Sequence, residues 1–144
     1  MNDKQLVALQ AAKCVKSGML VGLGTGSTAN YFIEELARLQ RDEDLKVTTV
    51  ASSTISAIRA QSMGLPIIAL EHICSIDLYV DGADEITPDM TLLKGRGSDL
   101  VKEKLLAKAA TKFIIIPSNI DSNEPTDIYK TIICAKLPIF FYIS

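Results

Sequence analysis

An acidic loop carries the densest set of chemically capable residues in this sequence. Asp81-Gly82-Ala83-Asp84-Glu85 places three carboxylates within five residues, separated only by small side chains. Like charges at this spacing repel one another unless they bind a partner, such as sugar hydroxyls or a cation. Ligands of a known metal spacing are missing nearby, so the loop favours polyol binding over a divalent metal. A solvated acidic turn is the alternative.

A glycine-rich loop, Gly22 to Thr28, is the second candidate. Glycines permit turns that expose successive backbone N–H groups, and the start of a following helix adds the positive end of its dipole. Thr25, Ser27 and Thr28 add hydroxyl groups, so the expected guest is an anion such as phosphate. An ordinary glycine turn with a Ser or Thr helix cap is the alternative. The loop lacks the Gly-Lys-Ser/Thr ending of a P-loop, and Ser27 replaces the last glycine of a dinucleotide fingerprint.

Two further loops repeat this strand-to-helix design. Residues 51–54 are rich in hydroxyls, which serve either a ligand or a helix cap. Lys94 begins a flexible Lys-Gly-Arg-Gly-Ser turn, where its charge suits an oxyanion or a phosphate. In the helix that follows, Asp99 and Glu103 are four residues apart and share one face. Glu103 is therefore either a base at the loops or a surface residue of a helix rich in Lys and Glu.

Alternating helices and short apolar strands must position these loops. Residue spacing predicts helices over 3–17, from Ser27 or Thr28 onward, 54–63 and 98–110, and strands over 19–23, 46–50, 66–70, 76–80 and 112–116. Gly18 and Gly64 are placed as helix C-caps. The alternation predicts an α/β fold with a mostly parallel, doubly wound sheet and helices on both faces. In such sheets ligands bind beyond the carboxyl ends of the strands, where these loops lie.

Composition disfavours several functional classes. The 144 residues include 15 Lys plus Arg and 17 Asp plus Glu, a net charge of −2 that disfavours electrostatic binding of nucleic acid or anionic lipid. No apolar run approaches the roughly 20 residues of a membrane span. Cys14, Cys74 and Cys134 are widely spaced, and His72 is the only histidine, so zinc and disulfide frameworks are disfavoured. The sequence predicts a reduced, cytoplasmic protein that binds neither nucleic acid nor membrane.

Three motifs in register resemble those of type A ribose-5-phosphate isomerases. They are GLGTGSTA at 22–29, YVDGADEI at 79–86 and LKGRGSDLVKEK at 93–104, and the match runs from about Lys4 to Ile116. The resemblance implies an isomerase that interconverts D-ribose 5-phosphate and D-ribulose 5-phosphate in the non-oxidative pentose phosphate pathway. It implies no cofactor and no metal, a sugar phosphate as the small-molecule partner, and a homo-oligomer, expected as a dimer.

The same resemblance assigns the site residues. Glu103 is the general base that moves a proton between C2 and C1 through an enediolate, and Lys94 is the positive partner of the enediolate oxygen. Asp81 and Asp84 assist opening of the sugar ring. Substrate binding falls to Thr25, Gly26, Ser27, Thr28, Asp81, Gly82, Ala83, Asp84, Lys94, Gly95, Arg96 and Gly97. Lys4 takes the place of a phosphate-binding lysine, and Ser52 and Ser53 line the same pocket.

Departures from the family pattern concentrate in the last part of the chain. Asp121 stands where the family has a phosphate-binding lysine, and Ser98 and Asp99 replace small residues. Residues 1–116 are expected to form a Rossmann-like isomerase domain. Residues 117–144 are expected to form a divergent tail, as in a truncated or frame-shifted chain without the family's second α+β domain. The apolar stretch 132–143 is expected to pack against a sheet edge or face or against another copy of the chain, with self-association favoured, so a well-behaved monomer is not expected.

Two competing functions follow from these departures. The first is a phosphosugar-binding fragment of such an enzyme with impaired turnover, which measurement of turnover beside binding separates from an active isomerase. The second is a related enzyme on a similar fold, such as a CoA transferase or an amino-sugar phosphate deaminase. The intact loops at 81–84 and 94–97 disfavour the second.

Overall fold

The computed structural model describes residues 2–83, 85–86, 91–94, 100–117, 133–135 and 140–143, with side chains over 2–82 and 101–116. Its helices are α1 (Asp3–Ala12), α2 (Ser27–Asp42), α3 (Thr54–Ser62) and α4 (Leu100–Ala109). Its strands are β1 (Leu20–Leu23), β2 (Thr48–Ala51), β3 (Ile76–Ala83), β4 (Glu85–Ile86), β5 (Thr91–Lys94), β6 (Ala110–Pro117), β7 (Ile133–Ala135) and β8 (Phe140–Ile143). A short 3-10 helix spans Leu70–His72.

The main sheet has the strand order β2-β1-β3-β6-β7. The first four strands are parallel, and β7 is antiparallel to β6. The register places Gly22 of β1 beside Tyr79 of β3, and Asp81 of β3 beside Ile115 of β6. This parallel sheet confirms the α/β prediction and brings the carboxyl ends of β1, β2 and β3 to one edge.

Successive side chains of a strand point to opposite faces of the sheet, and each face of this sheet packs in its own core. Leu78 and Val80 of β3 join Ile114 of β6 in a core that includes the buried residues of α1 and α2. Tyr79 packs on the opposite face with Phe113, in a second core that includes buried residues of α4. The two cores confirm the prediction of helices on both faces.

Helix α1 ends at Ala12, so the predicted helix over 3–17 is too long. The chain leaves α1 through tight turns, in which the Cys14 amide donates to the Ala11 carbonyl at 3.0 Å. Val15 then packs in the core outside any helix. Gly18 has φ +91° in a later turn that leads into β1, so its assignment as the C-cap of this helix is wrong. The assignment of Gly64, with φ +82° directly after the C-cap Met63 of α3, is confirmed.

The described segment 66–70 is not a strand, which corrects the prediction made for it. Ile67 makes an isolated bridge to Thr49, and the 3-10 helix follows. Pro66 has no N–H to donate to a ladder, and its carbonyl accepts both the amide and the hydroxyl of Thr49 at 2.8 Å. Strand β3, by contrast, continues through Asp81 and Gly82, where the sequence predicted its end, because these residues pair with β6.

Two strands from the tail pair within the chain. Strand β7 pairs with β6 in the main sheet, and β8 pairs in parallel with β5 in a smaller sheet of order β4-β5-β8. The register sets Ile143 beside Lys94. The described parts of the apolar tail, β7 and β8, therefore pair with strands of their own chain, which is the alternative to the self-association that the sequence favoured; self-association stays a prediction. The division of the chain into 1–116 and 117–144 stays a prediction.

We predict that deletion of residues 131–144 increases self-association of the chain. The deletion removes β7 and β8 and exposes backbone donors and acceptors of β6 and β5, which are templates for pairing with another chain. Size-exclusion chromatography with light scattering measures the change in mass. Removal of Ser144 alone, which follows the end of β8, is the control. An unchanged mass distribution after the long deletion contradicts the prediction.

Candidate functional site

The Asp81 carboxylate lies near the carboxyl end of β3 and is only 1% exposed. Its Oδ1 atom accepts hydrogen bonds from the Gly82 amide at 2.8 Å and from the Thr25 amide at 3.2 Å. Its Oδ2 atom accepts a short hydrogen bond from the Tyr79 hydroxyl. Donors of this kind offset the free energy lost when a carboxylate leaves water. The predicted site residue Asp81 is thus tied to the loop between β1 and α2.

Gly24 allows this approach of Asp81 to the loop. A Cβ atom at position 24 would lie 2.7 Å from the Asp81 Cα and would overlap the carboxylate itself. The Gly24 amide donates to the Val80 carbonyl at 2.8 Å, which extends the pairing of β1 with β3. Glycine at this position is therefore needed to make room for a side chain of the protein, whereas the sequence predicted a glycine that exposes N–H groups to a ligand.

A cluster of buried hydroxyls ties the same loop to the loop after β2. The Thr25 hydroxyl donates to Ser53 Oγ at 2.8 Å, and the Ser53 hydroxyl donates to Ser56 Oγ at 3.1 Å. The Ser56 hydroxyl donates to the Gly24 carbonyl at 2.6 Å, and Ser52 Oγ lies 3.0 Å from Thr25 Oγ1. Ser53 also caps α3 by accepting from the Ser56 amide. In the structure these hydroxyls thus cap α3 and link the two loops. Substrate contact for Thr25 stays a prediction.

The start of α2 is exposed and faces Lys4. Gly26 is the N-cap, with φ +109°, a conformation that favours glycine. Within the described residues no side chain caps this helix. The prediction of Ser27 or Thr28 as the cap is therefore wrong, because Ser27 is the first residue of the helix and Thr28 is buried inside it. The Lys4 ammonium donates to Ser27 Oγ at 2.9 Å.

The N-terminus of α1 fixes the position of Lys4. Asn2 caps α1 through a reciprocal pair of hydrogen bonds with Gln5, at 2.9 and 3.0 Å. The Asn2 side-chain amide also donates to the Tyr31 hydroxyl of α2 at 3.0 Å. Lys4 therefore brings a positive charge to an exposed helix start, where the first amides have no partner within the helix and favour an anion.

Glu103 lies on the buried face of α4 and is 8% exposed, whereas Lys102 and Lys104 on either side of it are exposed. The alternative that Glu103 is a surface residue is therefore wrong. Burial and the carboxylates of Asp81 and Glu103 raise the pKa of Tyr79 well above its ordinary value. Glu103 thus lies close enough to the Tyr79 hydroxyl for its charge to act there.

Several predicted site residues are only partly described or are not described. Asp84, Gly95, Arg96 and Gly97 lie outside the described residues, and for Ala83 and Lys94 the structure describes the strand backbone without the side chain. Sequence reasoning missed the Tyr79 hydroxyl and the Ser56 hydroxyl. The signal for Tyr79 was available, since residues two apart on a strand share a face and Tyr79 precedes Asp81 by two.

In the part of the chain that the structure describes, no group of three or more His, Cys, Asp or Glu residues is arranged to hold a metal ion. Among the helices described, none is both long and apolar enough to cross a membrane.

Comparisons of sequence agree with the motifs. The family model for ribose 5-phosphate isomerase A (phosphoriboisomerase A) matches residues 48–130. The chain is 44% identical over 115 residues to ribose-5-phosphate isomerase A of Lactococcus lactis subsp. cremoris, which covers 80% of this chain and 51% of that protein. The chain thus spans about half the length of the curated relatives it matches.

Solved structures agree with the fold. Ribose 5-phosphate isomerase A from Methanocaldococcus jannaschii has a TM-score of 0.74 and 37% identity, covering 79% of this chain and 51% of the other. A D-ribose-5-phosphate isomerase in complex with phospho-erythronic acid has a TM-score of 0.76 and 36% identity, covering 81% of this chain and 53% of the other.

We predict that Gly24→Ala destabilises the chain by about 1 to 3 kcal/mol, because its Cβ atom must displace Asp81 or the backbone of β3. Gly82→Ala is the matched control. Its Cβ atom would lie 3.5 Å from the Ile116 carbonyl, an ordinary contact, so we expect a change below about 1 kcal/mol. Urea denaturation measures both free energies of unfolding. Equal stability of the two variants contradicts the packing described for Asp81.

Proposed function

The chain belongs to the ribose 5-phosphate isomerase A family, and on that premise we propose that it binds D-ribose 5-phosphate and interconverts it with D-ribulose 5-phosphate. The observation that carries the proposal is the burial of Glu103 beside the hydrogen-bonded Tyr79 and Asp81. A carboxylate held on the inward face of a helix, at the binding edge of a parallel sheet, is suited to act as a general base.

The phosphate group of the substrate binds at the start of α2. Lys4 supplies a positive charge there, Ser27 a hydroxyl, and the first turn of α2 backbone amides and the positive end of the helix dipole. A phosphate dianion is the ligand that benefits most from this combination. Support also comes from the related isomerase that was solved with phospho-erythronic acid, a ligand that carries a phosphate group.

The sugar end of the substrate lies at the carboxylates. In the proposed reaction Glu103 removes the proton from C2 of the open-chain aldose and returns it to C1, so that the two carbons pass through an enediolate. Lys94 stabilises the negative charge of the enediolate oxygen, and Asp81 with Asp84 binds hydroxyls and assists ring opening. The proton that leaves C2 arrives at C1, and the proton of the C2 hydroxyl passes to the C1 oxygen, so the step consumes no oxidant or reductant and calls for no metal or organic cofactor.

The proposal extends to the setting of the enzyme. We infer a cytoplasmic enzyme of the non-oxidative pentose phosphate pathway that assembles as a homodimer and binds neither nucleic acid nor membrane. The low net charge of −2 supports the absence of nucleic-acid binding. The second candidate is a phosphosugar-binding fragment of such an enzyme with impaired turnover.

We predict that Glu103→Gln lowers the turnover number for ribose 5-phosphate by about 10²- to 10⁴-fold, because the amide cannot accept the C2 proton. The dissociation constant for ribose 5-phosphate should change little, since glutamine has the same size and retains a hydrogen-bonding carbonyl. Absorbance of the ketose product measures turnover, and titration calorimetry measures binding.

Glu71→Gln is the matched control for this variant, because Glu71 is an exposed carboxylate in the 3-10 helix. Near-normal turnover in Glu103→Gln contradicts the assignment of the base. Binding of ribose 5-phosphate by the unmodified chain without turnover selects the binding fragment instead.

We predict that Lys4→Met raises the dissociation constant for ribose 5-phosphate about tenfold, because the variant loses a charge-assisted hydrogen bond and keeps the aliphatic stem. Lys13→Met, at the exposed C-cap of α1, is the control for the loss of one positive charge. Titration at two salt concentrations measures the effect, which should shrink at high salt. Equal affinity in the two variants contradicts a phosphate site at Lys4.

A further inference from the structure

The proposed reaction gives no role to the buried hydroxyl of Tyr79. Tyr79 is 0% exposed, and its ring lies against Phe113 with centroids 4.6 Å apart and an angle of 31° between the planes. On the neighbouring strand, Gly22 leaves space for the ring, since a Cβ atom there would lie 2.8 Å from Tyr79 Cδ2. The ring is therefore confined on two sides, which fixes where the hydroxyl points.

The hydroxyl donates its proton to Asp81 Oδ2. A phenylalanine would fill the same apolar space without the desolvation cost of a buried hydroxyl. A charge-assisted hydrogen bond to Asp81 compensates this cost, and a hydrogen bond with Ser52 adds to it. The presence of a tyrosine rather than a phenylalanine is thus explained by what its oxygen does for the carboxylate.

The effect of this hydrogen bond extends to the loop after β1. With Oδ2 held by Tyr79, the plane of the carboxylate is set, and Oδ1 accepts from the Thr25 amide at 3.2 Å. That amide belongs to the backbone that leads into Gly26 and Ser27 at the start of α2. Burial and the nearby carboxylates raise the pKa of Tyr79, so the hydroxyl keeps its proton and remains a donor at neutral pH.

We propose that Tyr79 is a positioning residue, whose hydroxyl orients the Asp81 carboxylate and thereby aligns the sugar-binding end of the site with the loop at the start of α2. The inference rests on the proposed function, since it concerns the binding of ribose 5-phosphate. Tyr79 acts through Asp81 and touches no reacting atom in this scheme.

The test is a double-mutant cycle with Tyr79→Phe, Asp81→Ala and the combined variant in the full chain. We expect Tyr79→Phe to weaken binding of ribose 5-phosphate about tenfold to a hundredfold, the range for a hydrogen bond to a charged group. In the Asp81→Ala background the same change should alter binding less than twofold, because no side-chain acceptor for the Tyr79 hydroxyl remains at position 81. Titration calorimetry gives the dissociation constants, and kcat/KM is followed in parallel.

Phe113→Leu separates positioning from packing, since it loosens the same ring contact and retains the hydroxyl. It should lower the thermal midpoint and leave the dissociation constant within about twofold. If the role of Tyr79 is purely structural, Tyr79→Phe and Phe113→Leu both act by lowering stability. Tyr79→Phe then weakens binding of ribose 5-phosphate equally, whether or not Asp81 is also replaced. That result overturns the inference.

The outcomes also separate this inference from the proposed function. If the unmodified chain binds ribose 5-phosphate and Tyr79→Phe binds it equally well, the role of Tyr79 is wrong and the proposed function stands. If the unmodified chain does not bind ribose 5-phosphate, the proposed function fails and the positioning role fails with it.

Discussion

The burial of the Asp81 carboxylate is the interaction on which this site depends. A charge held at 1% exposure must be matched by donors, and the described donors come from a tyrosine on the same strand and from two backbone amides. This arrangement requires glycine at two positions: Gly22 in β1 makes room for the Tyr79 ring, and Gly24 just after β1 makes room for Asp81. These two glycines are thus required by the packing of β3. The hydrogen bond from the Thr25 amide to Asp81 then fixes the loop between β1 and α2 against β3.

The proposed phosphate end and the proposed sugar end of the site are joined by hydrogen bonds through one loop. The loop between β1 and α2 contacts Asp81 on one side and the serines of α3 on the other, and it leads directly to Ser27, which Lys4 contacts. Strands β1 and β3 and helices α1, α2 and α3 therefore meet at this short stretch of backbone. A change at any of them is expected to move both ends of the site, so measurements of affinity and of turnover are needed together to separate their effects.

The sequence predicted the fold better than it predicted the roles of individual residues. Alternation of apolar runs with helical spacing was enough for the parallel sheet, because each signal is local. It failed at 66–70, where the predicted strand is only an isolated bridge at Ile67 followed by a 3-10 helix. Residue spacing could not predict the burial of Glu103, because its Lys and Glu neighbours are typical of a solvent-exposed helix face. Only the packing of the helix in the fold shows which face is buried. Spacing also could not distinguish a glycine that admits a ligand from Gly24, which admits Asp81.

The hydroxyl cluster has a fixed direction. A carbonyl oxygen only accepts hydrogen bonds, so the Ser56 hydroxyl donates to the Gly24 carbonyl. The Ser53 hydroxyl therefore donates to Ser56 Oγ, and the Thr25 hydroxyl donates to Ser53 Oγ. With its proton given to Ser53, Thr25 Oγ1 has only lone pairs to offer other groups, and Ser52 Oγ lies 3.0 Å from it. A group that approaches Thr25 must therefore bring a proton. If the substrate contacts Thr25 as predicted, a sugar hydroxyl can donate to it and a phosphate dianion cannot, so the direction of these hydrogen bonds favours the sugar end of the proposed substrate at this position.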